Sequence, residues 1–417
     1  MILIGGAGLT GMVLGWELAK RRIPFLILEK EERPGGLLRT EKKGKYRFDY
    51  TGHLLHFSDE RAENFVKREL KLELYKHRRH SFIHLETGLV PYPFQYHLYY
   101  LPGHLRNRAV SEFIKARTQN KTAGNFYDWI YSSFGKGIAE LFMVPYNKKL
   151  WKYDLRKLGI NWMGRFVPPA ASSVLEGAAA PLGRNEGYNA SFYYPPLGIE
   201  ELILSLKKKV EPGCRREIAE VDVKRKRVFL KSGERINFTR FFSTLPLPEL
   251  ICRSRNIPQN IRNMGRVLKW RGVWNLNIGI RKSVKKIHWL YFPEPVYSFY
   301  RIGFASSFSP FLAPRGNSSL YIEASYGNKP EKKITEKMIG GLSLLGIDRT
   351  EIDQELLLDI PYAYALLDRE TEKVLPGIME FYNRNGIYSL GRFGAWNYSS
   401  MQESIIEGIS AAKNLIT

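Results

Sequence analysis

The chain opens with a glycine-rich turn between an apolar strand and a helix, and this order constrains the fold more than any other feature. An apolar run at 2–4 leads into three glycines with the spacing G-x-G-x-x-G. An amphipathic stretch at 9–21 follows, and a second apolar run at 24–28 ends in an acidic residue. Strand, glycine turn, helix, strand and acid in this order are typical of a Rossmann-like dinucleotide-binding fold.

Each residue of the turn has its own physical task in such a fold. Gly6 allows the chain to turn tightly, and Gly8 leaves the backbone open to a pyrophosphate. Gly11 lets the helix pack closely on the strand, and the free N–H groups at the helix start attract phosphate. Glu29 can accept hydrogen bonds from ribose hydroxyls. We therefore predict a dinucleotide-binding α/β domain; the alternative is a tight turn in an ordinary α/β protein.

A second loop indicates which dinucleotide is bound. Residues 32–40 follow the second strand and contain the pair Gly35-Gly36 and then Arg39. The glycine pair lets this loop lie against a long cofactor, and Arg39 can reach phosphate or flavin oxygens. The segment resembles the FAD-binding start of the amine oxidase, protoporphyrinogen oxidase and UDP-galactopyranose mutase group. A surface turn with a solvated arginine is the alternative.

Length and composition predict a soluble enzyme of two or three domains. The 417 residues are 44% hydrophobic and 25% charged, which is ordinary for a globular protein. No apolar run reaches membrane-spanning length, the first strand leaves no room for a signal peptide, and we expect a cytoplasmic protein. Cys214 and Cys252 lie far apart and lack the spacing of metal ligands, so we expect structural thiols and no metal site.

The net charge of +23 favours polyanionic partners. The basic residues are scattered, however, and no recognised nucleic-acid-binding module is present. We therefore expect no nucleic acid partner. A diphosphate substrate would account for some of the arginines but not for the whole excess.

The chain is expected to fold as three interleaved parts. We predict an FAD-binding α/β domain from residues 1–75, 195–255 and 375–417, a helical bundle domain from 96–190, and an antiparallel β-sheet domain from 76–95 and 260–374. Helices are predicted at 113–118, 126–134, 137–142, 155–166 and 197–210. Strands are predicted at 217–230 and 236–245, where they would extend the nucleotide domain, and at 273–280 and 319–324, where period-two patterns indicate the antiparallel sheet.

The C-terminal part predicts a second contact with the cofactor. A strand runs into the turn Gly391-Arg392, and Ser400-Met401-Gln-Glu403 is a capping-box pattern that opens a helix at 401–416. A helix N-terminus carries partial positive charge, so near the flavin's N1–C2=O edge it would stabilise an anionic reduced flavin. A well-capped C-terminal helix without this role is the alternative.

Sequence blocks along the rest of the chain narrow the resemblance to one family. The most specific are VPYPFQ at 90–95, PYNKKLW at 145–151 and GRFGAWNY at 391–398. In order and approximate spacing they resemble UDP-galactopyranose mutase, closer to the eukaryotic type, over nearly the whole chain.

The resemblance implies both a fold and a reaction. The fold has an FAD-binding α/β domain, an inserted helical bundle and an antiparallel sheet domain. The reaction interconverts UDP-galactopyranose and UDP-galactofuranose through an adduct between N5 of reduced FAD and the sugar. NADPH or NADH is the candidate reductant, the substrate is a UDP-sugar, and a homo-oligomer is left open.

The resemblance also implies roles for single residues. The catalytic set is His53, in a loop beneath the flavin, with Arg165 and Arg301, which clamp the diphosphate. Substrate contacts are implied for Tyr92, Phe94, Gln95, Phe142, Tyr146, Asn147, Trp151, Asn189, Tyr291, Tyr364 and Tyr398. Cofactor contacts are implied for Gly6, Gly8, Gly11, Glu29, Gly35, Gly36, Arg39, Ile218, Gly391, Arg392 and Met401. NADPH contacts are implied for Arg79, Ser81 and Tyr92.

The chain departs from the family pattern at several of these positions. Thr51 stands where the family has the first glycine of Gly-Gly-His, and Tyr364-Ala365 replaces a Tyr-Pro pair, so that Tyr362 competes for the assignment of Tyr364. The Asn-Gln-Asp that follows the last tyrosine of the eukaryotic type is missing after Tyr398. The alternative function is a flavin oxidase of the protoporphyrinogen oxidase or amine oxidase type.

Overall fold

The computed structural model describes residues 1–119, 122–163, 172–182, 190–284, 286–327 and 333–415. The strands are β1 Ile2–Gly5, β2 Phe25–Leu28, β3 Thr40–Lys43, β4 Tyr46–Asp49, β5 Tyr75–Arg78, β6 Ser81–Leu85, β7 Gly88–Pro91, β8 Ser191–Tyr194, β9 Ile218–Asp222, β10 Arg227–Leu230, β11 Arg235–Asn237, β12 Arg240–Ser243, β13 Ser254–Arg255, β14 Lys269–Ile280, β15 Trp289–Tyr291, β16 Arg301–Phe304, β17 Ser318–Tyr326, β18 Ile352–Leu366 and β19 Ile387–Ser389. The helices are α1 Leu9–Lys20, α2 Glu60–Asn64, α3 Gly103–Thr118, α4 Phe126–Ile138, α5 Val144–Trp151, α6 Ser173–Ala179, α7 Glu200–Lys207, α8 Leu247–Arg253, α9 Gln259–Val267, α10 Ile334–Ser343, α11 Arg369–Arg384, α12 Gly391–Gly394 and α13 Met401–Lys413.

A parallel sheet in the order β19-β12-β1-β2 forms the base of the nucleotide-binding part. Successive residues of β1 serve opposite faces. Ile4 packs with residues of α1, α7 and α13, whereas Leu3 packs with residues of β9–β11, α8, α9 and α11. Because both faces are covered, the strands read as continuous apolar runs. The glycine turn joins β1 to α1, and the predicted Rossmann-like α/β fold is confirmed.

The prediction of two long strands after residue 217 is wrong. Four short strands occupy this stretch, and β11, β10, β9 and β13 form a separate sheet, so that only β12 extends the parallel sheet. The break has a local cause. The Asp222 carboxylate accepts a hydrogen bond from the N–H of Arg225 at 3.0 Å, and Lys226 has a left-handed backbone with a φ of 48°. A turn therefore separates β9 from β10.

The helix predicted at 155–166 is also not formed in its described part, 155–163. Several backbone groups of this stretch bind other segments, and the local bonds that remain form isolated turns. The carbonyl of Leu158 accepts from the N–H of Phe126 at 3.0 Å, and the N–H of Gly159 donates to the carbonyl of Leu367 at 2.9 Å. The segment is a set of turns wedged between α4 and the end of β18.

A seven-stranded sheet in the order β18-β14-β17-β16-β15-β6-β7 faces the nucleotide-binding part. All of its neighbours are antiparallel except β15 and β6, so the predicted antiparallel sheet contains one parallel pair. Its two faces differ in chemistry because side chains alternate along each strand. One face packs apolar side chains with those of α10, including Leu276, Ile302 and Ile322. The next row carries polar residues on the other face.

The helices α3–α6 pack around a separate apolar cluster that includes Phe126, Phe134 and Phe142. Helices α3 and α4 approach closely because glycines occupy the contact. A Cβ added at Gly137 would lie 2.6 Å from the Cα of Ala109. The predicted helical region is therefore built around small residues at the helix crossing and aromatic residues beside it.

Three histidines surround Phe192 where β8 meets the seven-stranded sheet. The rings of His77 and His288 lie 5.0 Å and 4.9 Å from the Phe192 ring, and that of His56 lies 6.2 Å away. The N–H of His80 donates to Nδ1 of His288 at 2.9 Å. Burial lowers the pKa of His288 to about 3 and that of His56 to about 4, and it also lowers the pKa of His77. These rings are neutral in the folded protein.

We expect these histidines to make the protein acid-labile. Below pH 6.5 these histidines bind protons in the unfolded chain but stay neutral in the folded protein. The free energy of unfolding therefore falls as the pH falls. The slope approaches about 1.4 kcal/mol per pH unit for each histidine. In urea unfolding at pH 7.5, 6 and 4.5, His288→Asn should reduce the slope, because the amide oxygen can still accept from His80 and cannot titrate. His104→Asn, on the exposed face of α3, is the matched control; an unchanged slope in His288→Asn would contradict the prediction.

Candidate functional site

A cavity of about 880 Å³ lies at the carboxyl ends of the parallel strands, between them and the polar face of the seven-stranded sheet. Carboxyl ends of parallel strands are where open α/β sheets bind ligands. The residues that line the cavity include ten of the eleven proposed cofactor residues, all except Gly11, and His53, Arg301, Tyr291, Tyr364 and Tyr398. Sequence positions from both ends and the middle of the chain are therefore brought together.

The glycine turn forms a cradle at one end of this cavity. Gly6 has a φ of 100°, and a Cβ added at Gly11 would lie 2.1 Å from the carbonyl oxygen of Gly6. A Cβ added at Gly8 would meet nothing within 4 Å, so this backbone faces open space. The second loop lies directly against the first. The N–H of Gly35 donates to the carbonyl of Ala7 at 2.9 Å, and a Cβ on Gly36 would lie 3.4 Å from the Cα of Gly8.

Glu29 and Arg39 border the cradle. The Glu29 carboxylate is buried and accepts from the N–H groups of Ala7 at 2.8 Å and Glu31 at 3.0 Å. Each carboxylate oxygen can accept a further bond, so the ribose contact is compatible with these two. Arg39 donates from Nε to the carbonyl of Gly36 at 3.0 Å, and its guanidinium lies 4.7 Å from the Tyr50 ring.

The C-terminal helix points its start at the other end of the cavity. Ser400 accepts from the N–H of Glu403 at 3.4 Å, and the Glu403 carboxylate accepts from the N–H of Ser400 at 2.7 Å. The predicted capping box is confirmed. Arg392 supports the turn that precedes it, with Nη1 donating to the carbonyl of Ser399 at 2.6 Å and the guanidinium 4.5 Å from the Tyr398 ring.

The loop with His53 is held against Tyr321. A Cβ added at Gly52 would lie 2.1 Å from the Tyr321 hydroxyl oxygen. Burial, with Arg392 and Arg301 nearby, lowers the pKa of His53 to about 3, and its Nδ1 has no hydrogen-bond partner among the described residues. The ring is therefore neutral, with a polar atom available to a ligand.

Thr51 gives this loop a strained backbone. Its φ of 98° is rarely adopted by a β-branched residue and costs roughly 1–3 kcal/mol. The replacement of the family's glycine by Thr51 therefore strains the backbone at this position. Asp49, just before the loop, accepts from Thr40 Oγ1 at 2.6 Å and Tyr194 Oη at 2.5 Å, and burial raises its pKa to about 6. These bonds tie the loop to β3 and β8.

Arg301 forms the central ion pair of the polar sheet face. One row of cross-strand partners runs from Asn275 through Glu323 and Arg301 to Tyr291. Arg301 donates from Nε to Glu323 Oε2 at 2.5 Å and from Nη2 to Oε1 at 2.8 Å, and Glu323 is completely buried. This two-point contact fixes the guanidinium and leaves Nη1 for another acceptor. The sequence analysis missed Glu323, although an acid between Ile322 and Ala324 in a buried strand was a usable signal.

The contacts of Tyr362 and Tyr364 distinguish these two tyrosines, which compete for one assignment. Tyr364 stacks on Tyr398 with ring centroids 6.0 Å apart, and its hydroxyl lies 3.4 Å from that of Tyr300. Tyr362 turns away, donates to Glu249 at 2.8 Å and stacks on Trp270 at 4.9 Å. Of the two competing tyrosines, Tyr364 is therefore the one beside Tyr398.

Seven of the described residues implied for substrate contact do not line the cavity: Tyr92, Phe94, Gln95, Phe142, Tyr146, Asn147 and Trp151. Phe142 and Tyr146 stack at 5.3 Å, and Tyr146 lies 5.2 Å from Tyr291 at the cavity wall. Trp151 donates from Nε1 to Asn147 Oδ1 at 3.1 Å. The rings are thus closed on one another.

The tight turn Phe94–Tyr96 borders this ring set. Gln95 is 1% exposed, Phe94 lies 5.3 Å from the Phe142 ring, and Gln95 Nε2 has no hydrogen-bond partner among the described residues. An amide in this state is an unsatisfied donor beside these aromatic rings.

The remaining implied residues are placed as follows. Arg79 donates from Nη2 to the carbonyl of Tyr92 at 3.0 Å, and the N–H of Tyr92 donates to the carbonyl of Ser81 at 3.0 Å, so the three come together. Arg79 and Ser81 are both buried, at 4% exposure each. Arg165 and Asn189 lie outside the described residues.

The fold and the cavity define a dinucleotide-binding α/β protein with a polar second sheet over the cofactor cradle. Residues 4–68 match the family model of the NAD(P)-binding Rossmann-like domain. Within the described ranges, no group of three or more His, Cys, Asp or Glu is arranged to hold a metal ion. None of the helices in the described part of the chain has the length and apolar character needed to cross a membrane.

Comparison with known proteins narrows this class. Over 212 residues the chain is 28% identical to the UDP-galactopyranose mutase of Mycoplasma genitalium, and this alignment covers 46% of the chain. The chain spans about half the length of this curated relative, at 50%. The crystal structure of a reduced UDP-galactopyranose mutase matches with a TM-score of 0.94 at 24% identity, covering 100% of this chain and 95% of that one.

A more distant match marks the wider group. A crystal structure assigned as a protoporphyrinogen oxidase from Exiguobacterium sp. 255-15 matches with a TM-score of 0.76 at 14% identity, covering 99% of this chain and 98% of that one. The predicted resemblance to UDP-galactopyranose mutase, within the oxidase-like group, is confirmed, and the fold is shared along the whole chain.

The buried pair makes a stability prediction. Glu323→Leu leaves the Arg301 guanidinium without its partner and should lower the free energy of unfolding by about 3–5 kcal/mol. The double variant Arg301→Met with Glu323→Leu should be more stable than Glu323→Leu alone, because no unpaired charge remains. Urea unfolding of the parent, of the single variants Arg301→Met and Glu323→Leu and of the double variant measures both effects. The exposed pair Arg349–Glu355 is the control, and Glu355→Gln should cost less than about 1 kcal/mol. Equal losses in the two pairs would contradict the prediction.

Proposed function

We propose that the chain is an FAD-dependent UDP-galactopyranose mutase, an isomerase that interconverts UDP-galactopyranose and UDP-galactofuranose. The observation that carries the proposal is the Arg301 guanidinium, held by Glu323 with Nη1 left over, beside three phenols in one cavity with the dinucleotide cradle. The sequence and fold similarities to UDP-galactopyranose mutase support the same assignment.

The cradle fits FAD. The open space at Gly8 suits a pyrophosphate, the buried Glu29 carboxylate suits ribose hydroxyls, and Ile218 reaches the cavity from β9 at the adenine end. The start of α13 at Met401 offers partial positive charge to the flavin's pyrimidine edge. When bound and reduced, FAD would supply the nucleophile toward the sugar, with NADPH or NADH as the candidate reductant.

The polar row would hold the diphosphate. Negative charge rises on UDP as it leaves the sugar, and a fixed guanidinium stabilises that charge without reorganising. Arg301 would donate a hydrogen bond from Nη1, and Tyr291, Tyr364 and Tyr398 would donate hydrogen bonds from their hydroxyl groups. Arg165 is proposed as a second clamp from the family resemblance alone.

The ring set beside the cavity would hold uridine. Phe142, Tyr146 and Trp151 offer aromatic faces for stacking, and Asn147 and Gln95 offer amides for the edge of the base. The unsatisfied Gln95 Nε2 supports this role, because a uracil carbonyl would accept from it. Asn189 is proposed near the sugar on the resemblance alone.

An oxidase of the protoporphyrinogen oxidase or amine oxidase type is the alternative. An oxidase of an apolar substrate would leave the spare Nη1 of Arg301 and the phenols beside it without a partner, and burying such groups unpaired is costly. The buried Asn275 and Glu323 and the partly exposed Arg301 therefore favour a polar, anionic substrate. The free thiols of Cys214 and Cys252 are compatible with a reducing cytoplasm, where we place the reaction.

The function is tested by turnover without net oxidation. Purified protein should carry FAD that acid precipitation releases, and with excess dithionite it should convert UDP-galactofuranose to UDP-galactopyranose. The oxidised protein should give no product, because only the reduced flavin is nucleophilic. Product is measured by chromatography beside oxygen and NADPH consumption. Stoichiometric consumption of either during conversion would point to the oxidase instead.

Variants of Arg301 are the internal control for this assay. Arg301→Ala should keep FAD and lose about 10²–10³ in rate, and Arg301→Lys should recover only part of it, since an ammonium cannot make the planar contact with Glu323. Arg315→Ala, in an exposed turn, should turn over like the parent. Parent-like turnover in Arg301→Ala would remove the diphosphate assignment.

Substitution of Gln95 should leave the stability of the fold unchanged and weaken the binding of the ligand. Gln95→Met removes an unsatisfied buried amide, so the melting temperature should not fall. UDP affinity should fall by about tenfold, because one hydrogen bond to the base is lost. Thermal melting and calorimetric titration with UDP measure the two. A drop in stability with unchanged UDP affinity would show that the amide serves the core and not the base.

A further inference from the structure

Two cations tie helix α5 to the seven-stranded sheet through backbone carbonyls. Lys149 Nζ donates to the carbonyl of Phe292 at 2.7 Å and to that of Glu294 at 2.9 Å. Arg271, on β14, donates from Nε to the carbonyls of Trp151 at 3.0 Å and Lys152 at 3.1 Å, where the helix ends. Cations are favourable at a helix C-terminus, so Arg271 has an ordinary role. Lys149 does not.

The two carbonyls that bind Lys149 directly follow the strand with Tyr291. Tyr291 is the cross-strand partner of Arg301, so this strand belongs to the proposed diphosphate site. Helix α5 carries Tyr146 and Trp151 of the proposed base site, and Tyr146 lies 5.2 Å from Tyr291. Lys149 is therefore a direct bond between the element proposed for the base and the element proposed for the diphosphate.

The surroundings of Lys149 are unusual for a lysine that serves only stability. Among the described residues no carboxylate forms an ion pair with it, and both acceptors are neutral. The Glu294 carboxylate points elsewhere, to the N–H of Glu86 and to His84 at 3.6 Å. Burial, reinforced by Lys152, lowers the pKa of Lys149 to about 7. Withdrawing an ammonium from water without a carboxylate partner is costly, and Lys149 is half-buried, whereas the neighbouring residue Lys148 is exposed.

We propose that Lys149 is a positioning residue that fixes the separation between helix α5 and the end of β15, and so between the uridine and diphosphate halves of the substrate site. The inference rests on the proposed function. A nucleoside diphosphate must reach both halves through one covalent link of limited length, so its affinity depends on their separation in a way that the affinity of uridine alone does not.

The test compares Lys149→Met with Lys148→Met, the same substitution on the neighbouring exposed residue. Calorimetric titration of the FAD-loaded protein gives the dissociation constants of UDP and of uridine. In Lys149→Met the UDP constant should rise by about tenfold or more while the uridine constant changes by less than about threefold. Lys148→Met should match the parent for both. Lys149→Arg, which can still donate to two carbonyls, should recover part of the UDP affinity.

A second measurement needs no ligand. Hydrogen exchange of the backbone amides at 145–152 and 289–295 should be faster in Lys149→Met than in Lys148→Met, because the bond between the two elements is gone. Equal exchange in the two variants overturns the inference, even if UDP affinity falls, since Lys149 would then contact UDP itself. Faster exchange with unchanged UDP affinity, or an equal loss of uridine and UDP affinity, also overturns it.

The two proposals fail separately. If the parent does not bind UDP, the proposed function falls, and the role of Lys149 toward a nucleoside diphosphate falls with it. If the parent binds UDP and Lys149→Met binds it equally well, the proposed function stands and the positioning role of Lys149 falls.

Discussion

A guanidinium and a carboxylate facing each other inside a sheet determine much of the chemistry of this molecule. Glu323 and Arg301 are cross-strand partners, so the strand register alone brings their charges together. The fully buried charge of Glu323 is tolerated because the half-buried Arg301 guanidinium satisfies it at two points. The pair lies at the centre of the polar face of the sheet, which is the face turned toward the dinucleotide cradle. One side of the sheet thus packs against α10, and the other is available for an anion.

Local signals in the sequence were sufficient for the parts of the site that are built locally. The glycine turn with Glu29 and the cap at Ser400 depend on residues a few positions apart, and both were predicted. Glu323 could not be placed in the same way, because its partner is brought to it by strand pairing. The same reason explains the failed helix at 155–163, whose backbone bonds are made with Phe126 and Leu367. Lys149 belongs to the PYNKKLW block, but its carbonyl acceptors are more than a hundred residues away, so its contacts could not be predicted from that block.

The loop before His53 combines strain with a firm support. Thr51 holds a backbone angle that favours glycine, while Gly52 is pressed against Tyr321. Asp49 anchors the loop from behind through Thr40 and Tyr194. A strained segment persists only where its surroundings impose the conformation, and such segments cluster where ligands bind. Tyr321, which contacts Gly52, lies in the same sheet as Arg301, so the loop and the proposed diphosphate site share a wall.

The closed ring set has a consequence for how fast a nucleotide can enter. Phe142 and Tyr146 already stack on each other, and Trp151 is hydrogen-bonded to Asn147. For uridine to stack among these rings as proposed, the contacts must first separate, so the receptive form would be a minor population and the observed affinity would be reduced by that fraction. Association would then be slower than diffusion and would level off as the nucleotide concentration rises, with a plateau set by the opening of the rings. The aromatic side chains that slow the dissociation of the nucleotide would therefore also limit its rate of association.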